Sequence, residues 1–193
     1  MIIGLSGYAR SGKDSVADIL VEEFGYIRVA FADKLREALY ALNPIVSIGV
    51  YEDFHWDYSK NVYVQDVIDE YGWDGVKGTE YADEIRRLLQ RMGTEAGRNL
   101  LGNDIWVDAA FFELTEDKNY VFTDCRFSNE ALRVRQYQGK VWRVTRPGVE
   151  PANDHISEIG LDNWPFDAIV LNDRSLEDLK KKVIALEAVA RRV

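Results

Sequence analysis

Nine residues near the start of the chain, Gly7-Tyr8-Ala9-Arg10-Ser11-Gly12-Lys13-Asp14-Ser15, have the types and spacing needed to hold a phosphate. The backbone N–H groups of such a loop can turn inward around a β-phosphate, and the start of a following helix adds partial positive charge. The Lys13 ammonium can then reach the β- and γ-phosphates. Gly7 and Gly12 stand where a side chain would obstruct close approach of the backbone or demand a positive φ. The residue after Lys13 is Asp14, where this motif usually has a hydroxyl for Mg²⁺, and Ser15 follows one place later. That departure opens the question of the metal ligand and leaves the phosphate site intact.

Such a loop works only between a strand and a helix, and both are expected here. Met1 to Leu5 is a short apolar run of strand character, and Lys13 to Phe24 has Val16, Ala17, Ile19, Leu20 and Phe24 spaced for one helical face. Strand, glycine loop and helix in that order give the P-loop context. Gly25 stops the helix and Tyr26 to Phe31 is a second expected strand. Asp33 to Leu42 returns to helical spacing before Asn43-Pro44. Later strands are expected at Tyr120–Thr123, Lys140–Thr145 and Ala168–Leu171, with a last helix from Leu176 capped by Ser175. This alternation favours an α/β fold: a five-stranded parallel sheet with helices on both faces and ligands at the carboxyl ends of its strands.

That rule selects further candidates. Asp33 and Lys34 follow the second strand, where they could meet a second substrate or serve as a helix start and a surface lysine. Asp124 ends the apolar strand Tyr120–Thr123 in a Walker-B-like manner, placed to hold Mg²⁺ directly or through water. The metal candidates are therefore Asp14, Ser15 and Asp124. Residues 45–82 are aromatic-rich and acidic, with His55 and Trp56 in an expected loop and a short helix from Val64 to Tyr71 stopped by Gly72. A stronger helix, Tyr81–Met92, is expected to end at Gly93. His155, Ser157 and Glu158 supply no positioned hydrolase triad, and the chain has no nucleophile elbow.

Composition narrows the partners. The net charge of −9 argues against a general nucleic-acid binder. The acidity is local: residues 49–84 hold ten acids and two bases, whereas residues 85–148 hold eleven bases and eight acids. Nine of those eleven bases are arginines, suited to forked contacts with phosphate oxygens. A lone cysteine, Cys125, excludes a disulfide framework, and no stretch reaches the length of a membrane span. A cytoplasmic protein is expected, with small-molecule nucleotides as partners and the oligomeric state, including a homodimer, left open.

The blocks GLSGYARSGKDS, FADKLREAL, GWDGVK, RRLLQRMGTEAGRNLLGNDIWVD, TDCRFSNEA, DHISE and VLND, in this order, resemble the bacteriophage deoxynucleoside monophosphate kinase family of P-loop kinases. The family's Asp after the P-loop lysine matches Asp14. The resemblance implies transfer of the γ-phosphoryl of ATP to a deoxynucleoside 5′-monophosphate, with Mg²⁺. It further implies a single domain with a core of 1–44 and 84–193, a helical acceptor-binding insertion at about 45–83 and a lid at about 146–160. Gly7, Ala9, Arg10, Ser11, Gly12, Lys13, Asp14 and Ser15 would hold ATP, and Asn172 would approach its adenine. Asp33, Lys34, Thr94, Arg98 and Trp106 would surround the acceptor, with Asp124, Arg126 and Glu130 completing its site. Lys13, Arg126 and Arg146 would act on the transferring phosphoryl, with Arg143 as the alternative to Arg146. A P-loop kinase of another small acceptor, such as dephospho-coenzyme A or phosphomevalonate, and a non-catalytic nucleotide-binding regulatory module are the competing readings.

Overall fold

The computed structural model describes residues 1–53, 56–151 and 159–192. In chain order its elements are β1 (Ile2–Ser6), α1 (Lys13–Phe24), β2 (Ile27–Val29), α2 (Asp33–Leu42), β3 (Ile45–Asp53), β4 (Trp56–Tyr63) and α3 (Val64–Gly75). A short 3₁₀ turn (Val76–Gly78), α4 (Ala82–Gln90), a π-helix (Arg91–Leu101) and α5 (Ile105–Phe112) follow. The remainder is β5 (Tyr120–Phe122), α6 (Ser128–Gln136), β6 (Lys140–Thr145), β7 (Ala168–Leu171) and α7 (Leu176–Ala190). The chain divides into two compact units, Met1–Phe31 with Val107–Val193, and Ala32–Trp106.

The first unit is built on the expected five-stranded sheet, in the order β2-β5-β1-β6-β7 with each neighbouring pair parallel. All five residues of β1 are buried, as a central strand covered on both faces requires. Alternation along the strands sorts side chains into two cores. Ile3, Leu5, Val121, Trp142 and Val144 pack with Val16 and Leu20 of α1 and Leu179 and Val183 of α7. Ile2, Tyr120, Phe122 and Val141 face the other way, toward Val107 and Phe111 of α5 and Ala131 and Val134 of α6. Phe31, Phe111 and Phe122 form a three-ring cluster, with Phe122 stacked against Phe31 at 4.6 Å and against Phe111 at 4.8 Å, adding directional aromatic contacts to the area buried. Cys125, three residues past β5, is buried, and burial pushes its thiol pKa well up. No helix among the described residues is long and apolar enough to cross a membrane.

The second unit differs from the expected insertion in extent and content. It runs from Ala32 to Trp106 instead of about 45–83, because Leu39 of α2 and Ile85 of α4 share one core with Val64, Val67, Ile68 and Val76. Its 45–63 portion is not helical. β3 and β4 form an antiparallel hairpin from Ile45↔Tyr63 to Asp53↔Trp56, with an irregularity between Ile45 and Ser47. The Val, Ile and Tyr content of this stretch favours strands, so Trp56 opens β4 and does not lie in a loop. The expectation for His55 lies outside the described residues. Gly72 breaks helical geometry inside α3 with φ 66°, at the expected stop, and a short helical stretch resumes after it to Gly75.

Gly93 does not end the preceding helix, which continues without a break into the π-helix. Glycine here serves close packing. A Cβ on Gly93 would stand 2.9 Å from the Leu35 side chain, and one on Gly97 would stand 2.7 Å from the Trp106 indole nitrogen.

Candidate active site

The turn between β1 and α1 has the backbone that a phosphate cradle requires. Gly7, Arg10 and Gly12 all take positive φ, at 141°, 66° and 103°. A Cβ on Gly7 would lie 2.3 Å from the Val144 carbonyl oxygen, and one on Gly12 would lie 2.3 Å from the Asn172 side-chain nitrogen. The α1 N-terminus has no side-chain cap, so its first N–H groups remain directed at the loop. Ser11 is 1 % exposed and its Oγ makes no hydrogen bond. A buried hydroxyl without a partner costs about 1–3 kcal/mol, a cost that a ligand oxygen at this position would relieve. The Lys13 ammonium folds back onto the loop, donating to the carbonyls of Gly7 at 2.7 Å and Tyr8 at 2.9 Å. Ala9 and Arg10 form the exposed tip.

The metal candidates are oxygen donors only. Asp14 is in the first turn of α1 with its side chain 82 % exposed, paired with Arg28, whose other nitrogen donates to Asp18 at 2.9 Å. Ser15 is half-buried one residue further on. Asp124 follows β5, the neighbour of β1, and its Oδ1 accepts from the Phe31 N–H at 2.8 Å. No cluster of three or more His, Cys, Asp or Glu suited to a metal exists among the described residues. The donor set fits Mg²⁺, which binds through one or two carboxylates together with substrate phosphates and not through an all-protein cage.

Other residues of the first unit divide by task. Arg126 is exposed immediately after Cys125. Glu130, expected to touch substrate, is 3 % exposed, and its Oε2 accepts from the N–H groups of Arg126 at 2.7 Å and Phe127 at 3.0 Å. It reaches back to the N–H groups at the start of α6, whose N-cap Phe127 has no side-chain acceptor, and positions Arg126, because a buried carboxylate at a helix start is satisfied best by the N–H groups there. Of the two lid candidates, Arg143 is built into the fold, 11 % exposed and bonded to Asp162 at 2.7 Å, whereas Arg146 is exposed just beyond β6. Residues 152–158 of the expected lid, among them His155, Ser157 and Glu158, lie outside the described residues. Asn172, expected near adenine, donates to the Ser11 carbonyl at 3.0 Å and so braces the loop from the end of β7.

In the second unit Asp33 opens α2, 3.4 Å from Arg36, and Lys34 pairs with Glu37 at 2.7 Å. Thr94 is exposed and Arg98 half-buried on the π-helix. The Trp106 indole donates to the Gly93 carbonyl at 2.9 Å, a bond that ties α5 to the wide helix. A cavity of about 410 Å³ is lined by Asp33, Arg36, Glu37, Tyr40, Ile68 and Trp73, with the Arg36 guanidinium 6.0 Å from the Trp73 ring centre. Only Asp33 of this set was expected. Asp33, Arg36, Glu37 and Tyr40 follow the i, i+3, i+4, i+7 spacing of one helix face, which is the sequence signal that groups them. A cavity of about 800 Å³ lies at the opposite end of the sheet, where β1 and β5 begin, away from the strand ends that bind ligands in such folds.

Comparison with known proteins adds to this geometry. A family model described as deoxynucleotide monophosphate kinase matches residues 73–183. The deoxynucleotide monophosphate kinase of Enterobacteria phage T4 is 26 % identical over 94 % of this chain and 96 % of its own length. That of Escherichia phage RB69 is 27 % identical over 94 % of this chain and 97 % of its own. Among solved structures, dephospho-CoA kinase from Campylobacter jejuni superposes with a TM-score of 0.52 at 12 % identity, covering 98 % of this chain and 97 % of that one, which is a likeness of fold.

Proposed function

Because the chain belongs to the deoxynucleotide monophosphate kinase family, we propose that it transfers the γ-phosphoryl group of ATP to a deoxynucleoside 5′-monophosphate, giving ADP and the diphosphate. The observation that carries the donor half is the Gly7–Ser15 loop, with its uncapped helix start, the unpartnered Ser11 hydroxyl and the ammonium of Lys13. An acceptor oxygen attacks the γ-phosphorus as the bond to the ADP oxygen breaks. No strong general base is needed, because a monoester phosphate with second pKa near ~6 is largely dianionic at neutral pH. The protein's task is alignment of two polyanions and neutralisation of charge. Lys13 leaves the Gly7 and Tyr8 carbonyls to meet the phosphates. Arg126, steadied by Glu130, and Arg146 balance charge on the transferring group. Mg²⁺, held through Asp14, Ser15 and Asp124, would neutralise the β- and γ-oxygens.

For the acceptor we assign Asp33, Lys34, Thr94, Arg98 and Trp106, and add the cavity on α2. The Trp73 ring offers a stacking surface, and the Asp33 and Glu37 carboxylates can accept from base N–H groups. Nucleotides in the cytoplasm are the partners in this reading.

Purified protein assayed with Mg²⁺, ATP and a panel of acceptors tests the proposal. ADP should form about 100-fold faster with the preferred deoxynucleoside monophosphate than without acceptor, as expected for binding that assembles the site. Acceptor-independent hydrolysis alone would support the regulatory module, and stimulation by dephospho-coenzyme A alone would replace the acceptor. A second result concerns Asp14. Exposed ion pairs such as Asp14–Arg28 contribute only about 0–1 kcal/mol, so Arg28 competes weakly with a divalent cation for this carboxylate. Asp14→Ala should raise the Mg²⁺ concentration for half-maximal rate by roughly 3–10-fold. An unchanged Mg²⁺ requirement would reduce Asp14 to a helix-start charge.

A further inference from the structure

The phosphate loop is gripped from outside by a cluster the transfer chemistry does not use. Tyr8 sits in the loop one residue after Gly7, and its hydroxyl donates to Asp162 Oδ2 at 2.9 Å. Arg143 of β6 donates to the other oxygen, Oδ1, at 2.7 Å. Its guanidinium also lies 4.6 Å from the Tyr8 ring centre and 5.4 Å from that of Phe166. One carboxylate therefore joins three segments: the loop, the strand paired with β1 at Ser6↔Arg143, and the turn that precedes β7. Burial and the bond to Asp162 raise the Tyr8 phenol pKa above its ordinary value, so the hydroxyl remains a donor throughout the neutral range.

The loop has reason to need such a grip. Arg10 holds φ 66° without being glycine, a conformation that persists only where the surroundings impose it. Asn172 restrains the second half of the loop through the Ser11 carbonyl, and nothing in that contact restrains the first half. We infer that Asp162 is a positioning residue for the phosphate loop, acting through the Tyr8 hydroxyl and itself oriented by Arg143. The inference rests on the donor-site reading of the loop and deepens it. A loop already in its binding conformation loses less freedom when the phosphates arrive, so the clasp strengthens ATP binding. Once ATP is bound, its own hydrogen bonds hold the loop, and the chemical step gains little from the clasp.

Titration calorimetry with Mg²⁺-ATP and steady-state kinetics on Tyr8→Phe, Asp162→Ala and the double variant provide the test. Tyr8→Phe keeps the ring against Arg143 and removes only the hydroxyl. Each single change should weaken ATP binding about tenfold, while kcat at saturating ATP and the acceptor KM stay within about twofold. The double variant should be no more than about twofold weaker than either single one, since both changes cut the same bond. A general structural defect would instead lower the melting temperature and disturb both substrates together. Tyr8→Phe binding ATP within twofold of wild type would overturn the inference, and so would losses that multiply in the double variant. Wild-type protein that fails to bind ATP would overturn the donor-site reading, and this inference with it.

Discussion

Lys13→Ala should lower kcat by about 10²–10³-fold, the range seen when one preorganised donor to a developing charge is removed. The ammonium donates to the Gly7 and Tyr8 carbonyls, neutral oxygens that a phosphate can replace. A γ-phosphate is a stronger partner, so exchange of carbonyl for phosphate favours the bound state and strengthens as charge redistributes in transfer. The same contacts set the expected cost to folding. Two half-exposed bonds to carbonyl oxygens contribute roughly 1 kcal/mol each, so the ATP-free melting temperature should fall by no more than about 4–8 °C. Initial rates at saturating substrates and a thermal melt without ATP check both parts. Turnover within tenfold of wild type would remove Lys13 from the transfer step.

Gly7→Ala should abolish ATP binding at concentrations that saturate the wild type, a loss of about 100-fold or more. Two independent penalties meet at this residue. At φ 141° a side chain is strained, costing of order 1–3 kcal/mol. The new Cβ would also stand 2.3 Å from the Val144 carbonyl oxygen, inside any permitted contact, with backbone and not a flexible side chain as the obstacle. Moving the loop away separates the Gly7 and Tyr8 carbonyls from Lys13 and displaces the N–H groups from the phosphate. Calorimetry with Mg²⁺-ATP measures the loss, and circular dichroism establishes that the variant is folded. In contrast to Lys13→Ala, this variant should fail in binding before it fails in chemistry. ATP affinity within threefold of wild type would mean that the close approach at Gly7 has no bearing on the phosphate.

Local pattern and long-range packing contributed to the site in different ways. The glycine spacing, the helix start at Lys13 and the alternation of strand and helix are encoded within a few residues of one another, so the first unit's sheet follows from its apolar runs. Periodicity was less informative where two elements compete for the same residues. Residues 45–82 read as a helical insertion with His55 and Trp56 in a loop, because the aromatics need burial, but over 45–63 strands satisfy the same preference. Gly93 was expected to stop a helix because isolated glycines often do. Its packing against Leu35, 58 residues earlier in the chain, keeps it inside one.

The sequence by itself determined that a phosphate loop opens the chain, that a parallel sheet carries it, and that arginines follow in the middle of the chain. Those features depend on residue type at fixed short spacing, where backbone geometry leaves few alternatives. Only the tertiary structure decided which partners the polar side chains meet. Glu130 accepts from the N–H groups of Arg126 and Phe127, Arg143 donates to Asp162, and Asn172 donates to the Ser11 carbonyl. It also decided that Trp73 and Tyr40 share a cavity with Asp33, and that Tyr8 meets Asp162 across 154 residues of chain. The reason is physical: a side chain's task is set by which partner and how much water it finds after folding, and separation along the chain places no limit on either.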